Sequence, residues 1–188
     1  MHYNHWKKDA IDSAKAIESI RDTYLPKVIS GKIHTIESKG DEMLILMDVK
    51  SGIDYIREDD LGLQGIAARC QWEKAWNTFT IREKRLTGTI TELEKREKQI
   101  ATGYLYPIFT LQAYFASREN NKLLSLGIIK TLNLYEFMKN NPSKVHRRKS
   151  DNDFVFVHWH DLGKSVKKYP PDKNHEYPTS TLEQESPC

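Results

Sequence analysis

Cysteine is nearly missing from this chain, with two in 188 residues, Cys70 and Cys188. A disulfide framework or a cysteine-based zinc site needs more thiols at closer spacing, so both are excluded. A reduced, cytoplasmic setting is the corresponding expectation. Long hydrophobic runs are missing too: no stretch approaches the roughly 20 apolar residues that span a bilayer. The opening residues 1–8 do not read as a signal peptide, so no membrane partner is expected. No glycine-rich phosphate loop, Gly-X-Ser-X-Gly or Cys-X-X-Cys occurs, which leaves kinase, serine-hydrolase and zinc-finger chemistry without support. A large excess of one charge sign is also missing, with 29 Lys and Arg against 26 Asp and Glu. A net charge of +3 is too small to imply a nucleic-acid partner by itself.

What is present describes a foldable globular chain. Hydrophobic residues make up 38% and charged residues 29%, enough apolar material at this length for one core. Residues 10–25 predict a helix, because Ala10, Ile11, Ala14, Ile17, Ile20 and Leu25 mostly recur at helical spacing, with Asp9 as candidate N-cap and Pro26 at the exit. The apolar run 43–47 suits a buried strand. Residues 53–57 and 65–72 follow as strands joined by a polar turn over 58–62, and residues 78–83 alternate with period two.

Residues 91–101 predict an exposed helix with Thr89 or Thr91 as cap and Gly103 beyond its end. Residues 104–117 predict a central strand despite Pro107, and 123–130 a further strand. A helix over 132–139 stops before Pro142. Residues 153–160 alternate again, with Phe154, Phe156, His158 and His160 on one face. After Gly163 apolar content falls away, so 164–188 reads as a mobile polar tail on a single domain, 1–163. This order of elements suits an α/β sandwich around a central mixed sheet.

Chemistry concentrates in two strands. Asp54 stands at the start of one, and Arg69 and Gln71 share a face of the next. An ordinary hairpin would satisfy Asp54 with Arg69 or Arg82. Asp48 precedes Asp54 by one turn and either caps that turn or joins it on a metal. Basic residues gather at Lys144, His146, Arg147, Arg148 and Lys149, and Arg82 and Lys84 share a strand face with Thr78 and Thr80. Such groups can hold a phosphate backbone without reading sequence, or simply keep a surface solvated. His158 and His160 point the same way from a strand, but no third metal ligand stands at recognisable spacing.

Gly52-Ile53-Asp54, a strand, a turn, and a second strand ending Arg69-Cys70-Gln71 resemble the PD-(D/E)XK, or restriction-endonuclease-like, nuclease superfamily, in its Mrr-type pattern. The likeness covers roughly residues 9–85. It departs from the pattern in that Arg69 stands where that branch has Gln and Gln71 where it has Lys. The resemblance implies a restriction-endonuclease-like sandwich and a Mg²⁺-dependent (or Mn²⁺-dependent) endonuclease acting on DNA. Asp54 would hold the metal, with Asp48, Glu18 and Gln71 as further ligands. Arg69 would face phosphate, and Lys84, Lys50 or Lys74 would stand in for the missing lysine. Arg82, Lys84, Arg147, Arg148 and Lys149 would contact nucleic acid. A homodimer and a phage or mobile-element setting are further expectations. The alternative is a non-catalytic accessory protein that keeps the fold and binds DNA or another protein.

Overall fold

In a computed structural model, residues 12, 15, 16, 18–36, 51–60, 62–84, 90–119, 122–148 and 153–170 are described. The expected strand at 43–47, Asp9, Asp48, Lys50 and Lys149 lie outside them. The N-terminal helix, α1, is helical at residues 12, 15, 16, 18 and 19. It continues as a π-helical turn, Ile20–Tyr24, and a 3₁₀ turn, Leu25–Lys27, that contains Pro26. Among the described residues nine strands follow: β1 (Lys32–Thr35), β2 (Tyr55–Asp59), β3 (Gly62–Trp72), β4 (Thr78–Arg82), β5 (Phe109–Phe115), β6 (Leu123–Lys130), β7 (His146–Arg148), β8 (Phe154–His158) and β9 (Lys167–Tyr169). Helix α2 (Glu92–Thr102) lies between β4 and β5, α3 (Thr131–Asn140) follows β6, and α4 (Trp159–Leu162) is a single turn after β8.

These strands form two sheets. The larger has the order β1-β2-β3-β5-β6-β9, and the smaller has the order β4-β8-β7. Pairing is antiparallel except between β3 and β5, which run parallel because α2 returns the chain to the same edge. The expected α/β architecture with a central mixed sheet is therefore present, with β5 inside it. On one face, Ala16, Ile20 and Leu25 of α1 pack against Ile66 and Leu111. On the other, Tyr114 and Ile129 meet Phe79, Ile81, Val155, Val157 and Trp159 of the smaller sheet and its flank.

The strand at 78–82 forms as expected, standing outside the central sheet and pairing with β8. The chain turns away between β3 and β4 through Glu73 and Asn77, both at positive φ (79° and 51°). Two other expectations need correction. Helix α2 is not exposed all round: Arg96 and Gln99 are buried on its inner face. The folded unit also continues past 163. Val166 is core, and β9 pairs with β6 where a tail was expected.

Helix α2 starts and stops where its sequence dictates. The Thr91 hydroxyl accepts from the Glu94 amide at 3.2 Å, and the Glu94 carboxylate accepts from the Thr91 amide at 2.9 Å, a reciprocal capping box. Gly103 closes the other end in the left-handed region, at φ 65°.

Candidate functional site

A cleft of about 370 Å³ opens between the central sheet and α2. Register explains what lines its floor. The β2–β3 hairpin pairs Tyr55 with Ile66, and one further step places Asp54 beside Ala67. On the other side of β3, Ala67 pairs with Thr110 and Arg69 with Gln112. Alternate β3 residues Ile66, Ala68 and Cys70 face the α1 core, so Ala67 and Arg69 face the cleft. Ala67 contributes almost no bulk, which leaves room beside the carboxylate.

The Asp54 carboxylate accepts from the Ala68 amide at 2.6 Å, and its own amide donates to the Ile66 carbonyl at 2.9 Å. Backbone groups of the neighbouring strand thus help to fix Asp54. Arg69 reaches across the cleft to ion-pair with Glu92 in the first turn of α2. The Glu92 carboxylate also accepts from the Arg82 amide at 3.4 Å.

The α2 wall supplies two further cations, Lys95 and Arg96. Arg96 is 4% exposed and donates to the Ser51 carbonyl at 2.8 Å and to Gln99 Oε1 at 2.9 Å. Burial lowers its pKa, opposed by the charges of Glu92 and Asp54 and by its bond to Tyr135. Burial also pushes the Tyr135 phenol well above its ordinary value, with the Glu92 charge adding to the shift. Arg96 therefore holds the turn that carries Asp54. At Gly52 φ is +63°, which favours glycine, and a Cβ would also press against an Arg96 nitrogen at 3.1 Å.

The cleft thus brings together Asp54, Arg69, Glu92, Lys95 and Arg96, two carboxylates facing three cations. Glu92 and Lys95 were not singled out from sequence. Their mixed-sign run reads as a solvated helix, and only the buried partners of α2 reveal the inward face. Gln71 does not join Asp54: it pairs with Tyr114, four residues beyond Ala67, or roughly 13 Å along the strand. Glu18 is exposed on α1, the helix packed on the opposite face of the sheet. Lys84 is exposed beyond the end of β4, and Lys74 lies over the Trp76 ring at 4.1 Å. Arg82 borders the cleft, its guanidinium 5.6 Å from the Phe154 ring. Arg147 and Arg148 lie on exposed β7, with Arg147 paired to Glu83 at 3.0 Å. His158 and His160 do not share a strand, because β8 ends at His158 and His160 stands in α4, yet their rings stack 5.2 Å apart.

Among the described residues, no three His, Cys, Asp or Glu side chains gather where they could hold a metal ion. None of the described helices is long and apolar enough to cross a membrane. No family model, curated protein or solved structure matches this chain.

Proposed function

We propose that the Asp54 cleft binds a DNA phosphodiester and cleaves it with the help of a divalent metal. The observation that carries this reading is the convergence of Asp54 with Arg69, Glu92 and Lys95 in one cleft on rigid elements. A magnesium site needs only one or two carboxylates, the rest of its shell being water and substrate phosphate. Asp54 on the sheet and Glu92 on α2 fit that modest donor set. When bound, the metal would polarise the phosphoryl oxygens and lower the pKa of a bound water.

The protein's own groups do the positioning. Arg69 and Lys95 offset phosphate charge, Arg69 exchanging its carboxylate partner for the substrate. Lys95 takes the place of the lysine that the resembled pattern carries on β3, entering from the helix wall. Asp54, pinned by the Ala68 amide, is held ready with little reorganisation.

Nicking of supercoiled plasmid with Mg²⁺ or Mn²⁺ tests this, comparing wild type with Asp54→Asn and Lys95→Met. Loss of nicking in both variants, with the fold retained by circular dichroism, is expected. Equal nicking by wild type and Asp54→Asn removes Asp54 from the mechanism. A second reading draws on the Arg69–Glu92 ion pair, which already occupies one carboxylate. In that case the protein binds DNA without cutting it, and salt-sensitive retention without nicking is the result.

A further inference from the structure

Beyond the cleft, the smaller sheet presents a face that the reaction above does not use. Val155 and Val157 turn inward and are fully buried, so Phe154, Phe156 and His158 turn outward, half-buried. Their neighbours are set by register. Phe154 lies between Arg82 and Arg148, Phe156 between Thr80 and His146, and His158 beside Thr78.

The rings form a connected row. His146 stacks on Phe156 with centroids 5.2 Å apart and planes at 22°. Phe156 meets His158 edge-on at 5.6 Å, and His158 stacks on His160 at 5.2 Å. Two residues along β8 from Phe156, Phe154 stands beside the cleft, its ring 5.6 Å from the guanidinium of Arg69, which lines the cleft, and 5.6 Å from that of Arg82. From Phe154 to His158 the face extends roughly 13 Å. Exposed Arg148, paired with Phe154, rims it, whereas Arg147, paired with Val155, belongs to the opposite face and ion-pairs with Glu83.

We propose that this face holds a single-stranded stretch of nucleic acid leading into the Asp54 cleft, its bases on the Phe154–Phe156–His158 row and its phosphates on Arg82 and Arg148. Flat rings interleaved with cations suit unpaired bases, whose faces are available for stacking as those of a duplex are not. The charge is complementary, and the sequence tolerance of stacking removes the need for base-specific contacts. The assignment rests on the reading of the cleft as a phosphodiester site, which the two arms of the test separate.

The test is fluorescence anisotropy of the full chain in EDTA, with a labelled oligodeoxythymidine and with a duplex of equal length. Tighter binding of the single strand is expected. Phe156→Leu keeps apolar volume but loses the flat ring, and His146→Ala alters an exposed position. Each should weaken single-strand binding roughly tenfold, the size of one base–ring stack, with the salt dependence unchanged. Arg148→Gln should instead flatten the salt dependence by about one contact. Unchanged affinity in Phe156→Leu and His146→Ala overturns the proposal, as does equal binding of duplex or no binding at low salt. A separate arm measures nicking: if Asp54→Asn cuts like wild type, the cleft reading fails while the strand-binding result stands on its own.

Discussion

The guanidinium of Arg69, on β3, is tied across the cleft to the carboxylate of Glu92 in the first turn of α2. The two side chains are 25% and 29% exposed, so the pair is reachable from solvent and from a ligand. It joins the sheet to the helix that carries Lys95, and it decides how much positive charge the cleft offers an anion.

Glu92→Gln therefore separates binding from chemistry. The substitution keeps the shape and frees Arg69, so DNA retention at low salt should strengthen. The slope of log affinity against log salt should steepen by about 0.9, one additional phosphate contact. Nicking should be lost if Glu92 is one of the two carboxylates the metal uses. Filter retention across a salt series reads the first effect and plasmid nicking the second. A weaker, salt-independent retention would show that Arg69 does not face the ligand.

Gly52 opens the Gly52-Ile53-Asp54 segment, and its conformation explains its identity. Gly52→Ala forces a Cβ into the left-handed region at φ +63°, 3.1 Å from an Arg96 nitrogen. A destabilisation of about 1–3 kcal/mol is expected from the backbone strain alone. In a domain of this size that lowers the melting temperature by roughly 2–4 °C per kcal/mol. Calorimetry checks the value. An unchanged melting temperature would mean that the 51–54 turn adapts.

Much of this arrangement can be read in the residues, and what cannot has identifiable causes. The capping box of Thr91 and Glu94, the stop at Gly103 and the two-faced pattern of β8 are local signals. Their elements form where the chain implies, except that β8 stops at His158 and α4 takes over from Trp159. The position of Gln71 depends on a register. A polar turn over 58–62 leaves that register open, whereas the observed hairpin pairs Asp59 with Gly62. That tight turn sets Asp54 opposite Ala67 and takes Gln71 out of reach. The smaller sheet depends on Glu73 and Asn77 adopting positive φ, a conformation that Asn tolerates but that Glu does not announce. Strand β9, Lys-Lys-Tyr, is too short and polar to register as a strand. It forms because β6 offers it an edge and Tyr169 meets Tyr24 with rings 5.4 Å apart.

The row of histidines predicts an acid-sensitive stability. Burial, with the nearby His146 and His160, lowers the His158 pKa from its ordinary 6.5, against the opposing charge of Asp161. Asp161 itself is held low, first by its hydrogen bond from Lys144 and also by the charge of His160. A depressed histidine favours its neutral form when folded, so the unfolded chain binds more protons in the window below 6.5. Stability from this group is complete above that value and falls as pH drops through it. His158→Gln should flatten the dependence of melting temperature on pH between neutral and mildly acid conditions. An identical profile in the variant would assign the sensitivity to other groups.

Arg96 gives the most direct link between packing and the site. Its guanidinium donates to the Ser51 carbonyl at 2.8 Å, and the turn it braces delivers Asp54 to the cleft. Arg96→Met keeps the length of the side chain but removes the donors, leaving a buried carbonyl and Gln99 Oε1 without this partner. Loss of such partners costs about 1–3 kcal/mol. The functional effect should exceed the loss of fold, because the freed turn no longer aligns Asp54 with Arg69 and Lys95. At a temperature well below the variant's melting point, nicking should fall at least tenfold while oligonucleotide retention changes little, since Arg69 and Lys95 remain. Arg96→Lys, which restores one donor, should recover part of the nicking. If both variants nick at the wild-type rate when folded, Arg96 braces the fold alone and the Asp54 turn is held by the strand bonds to Ile66 and Ala68.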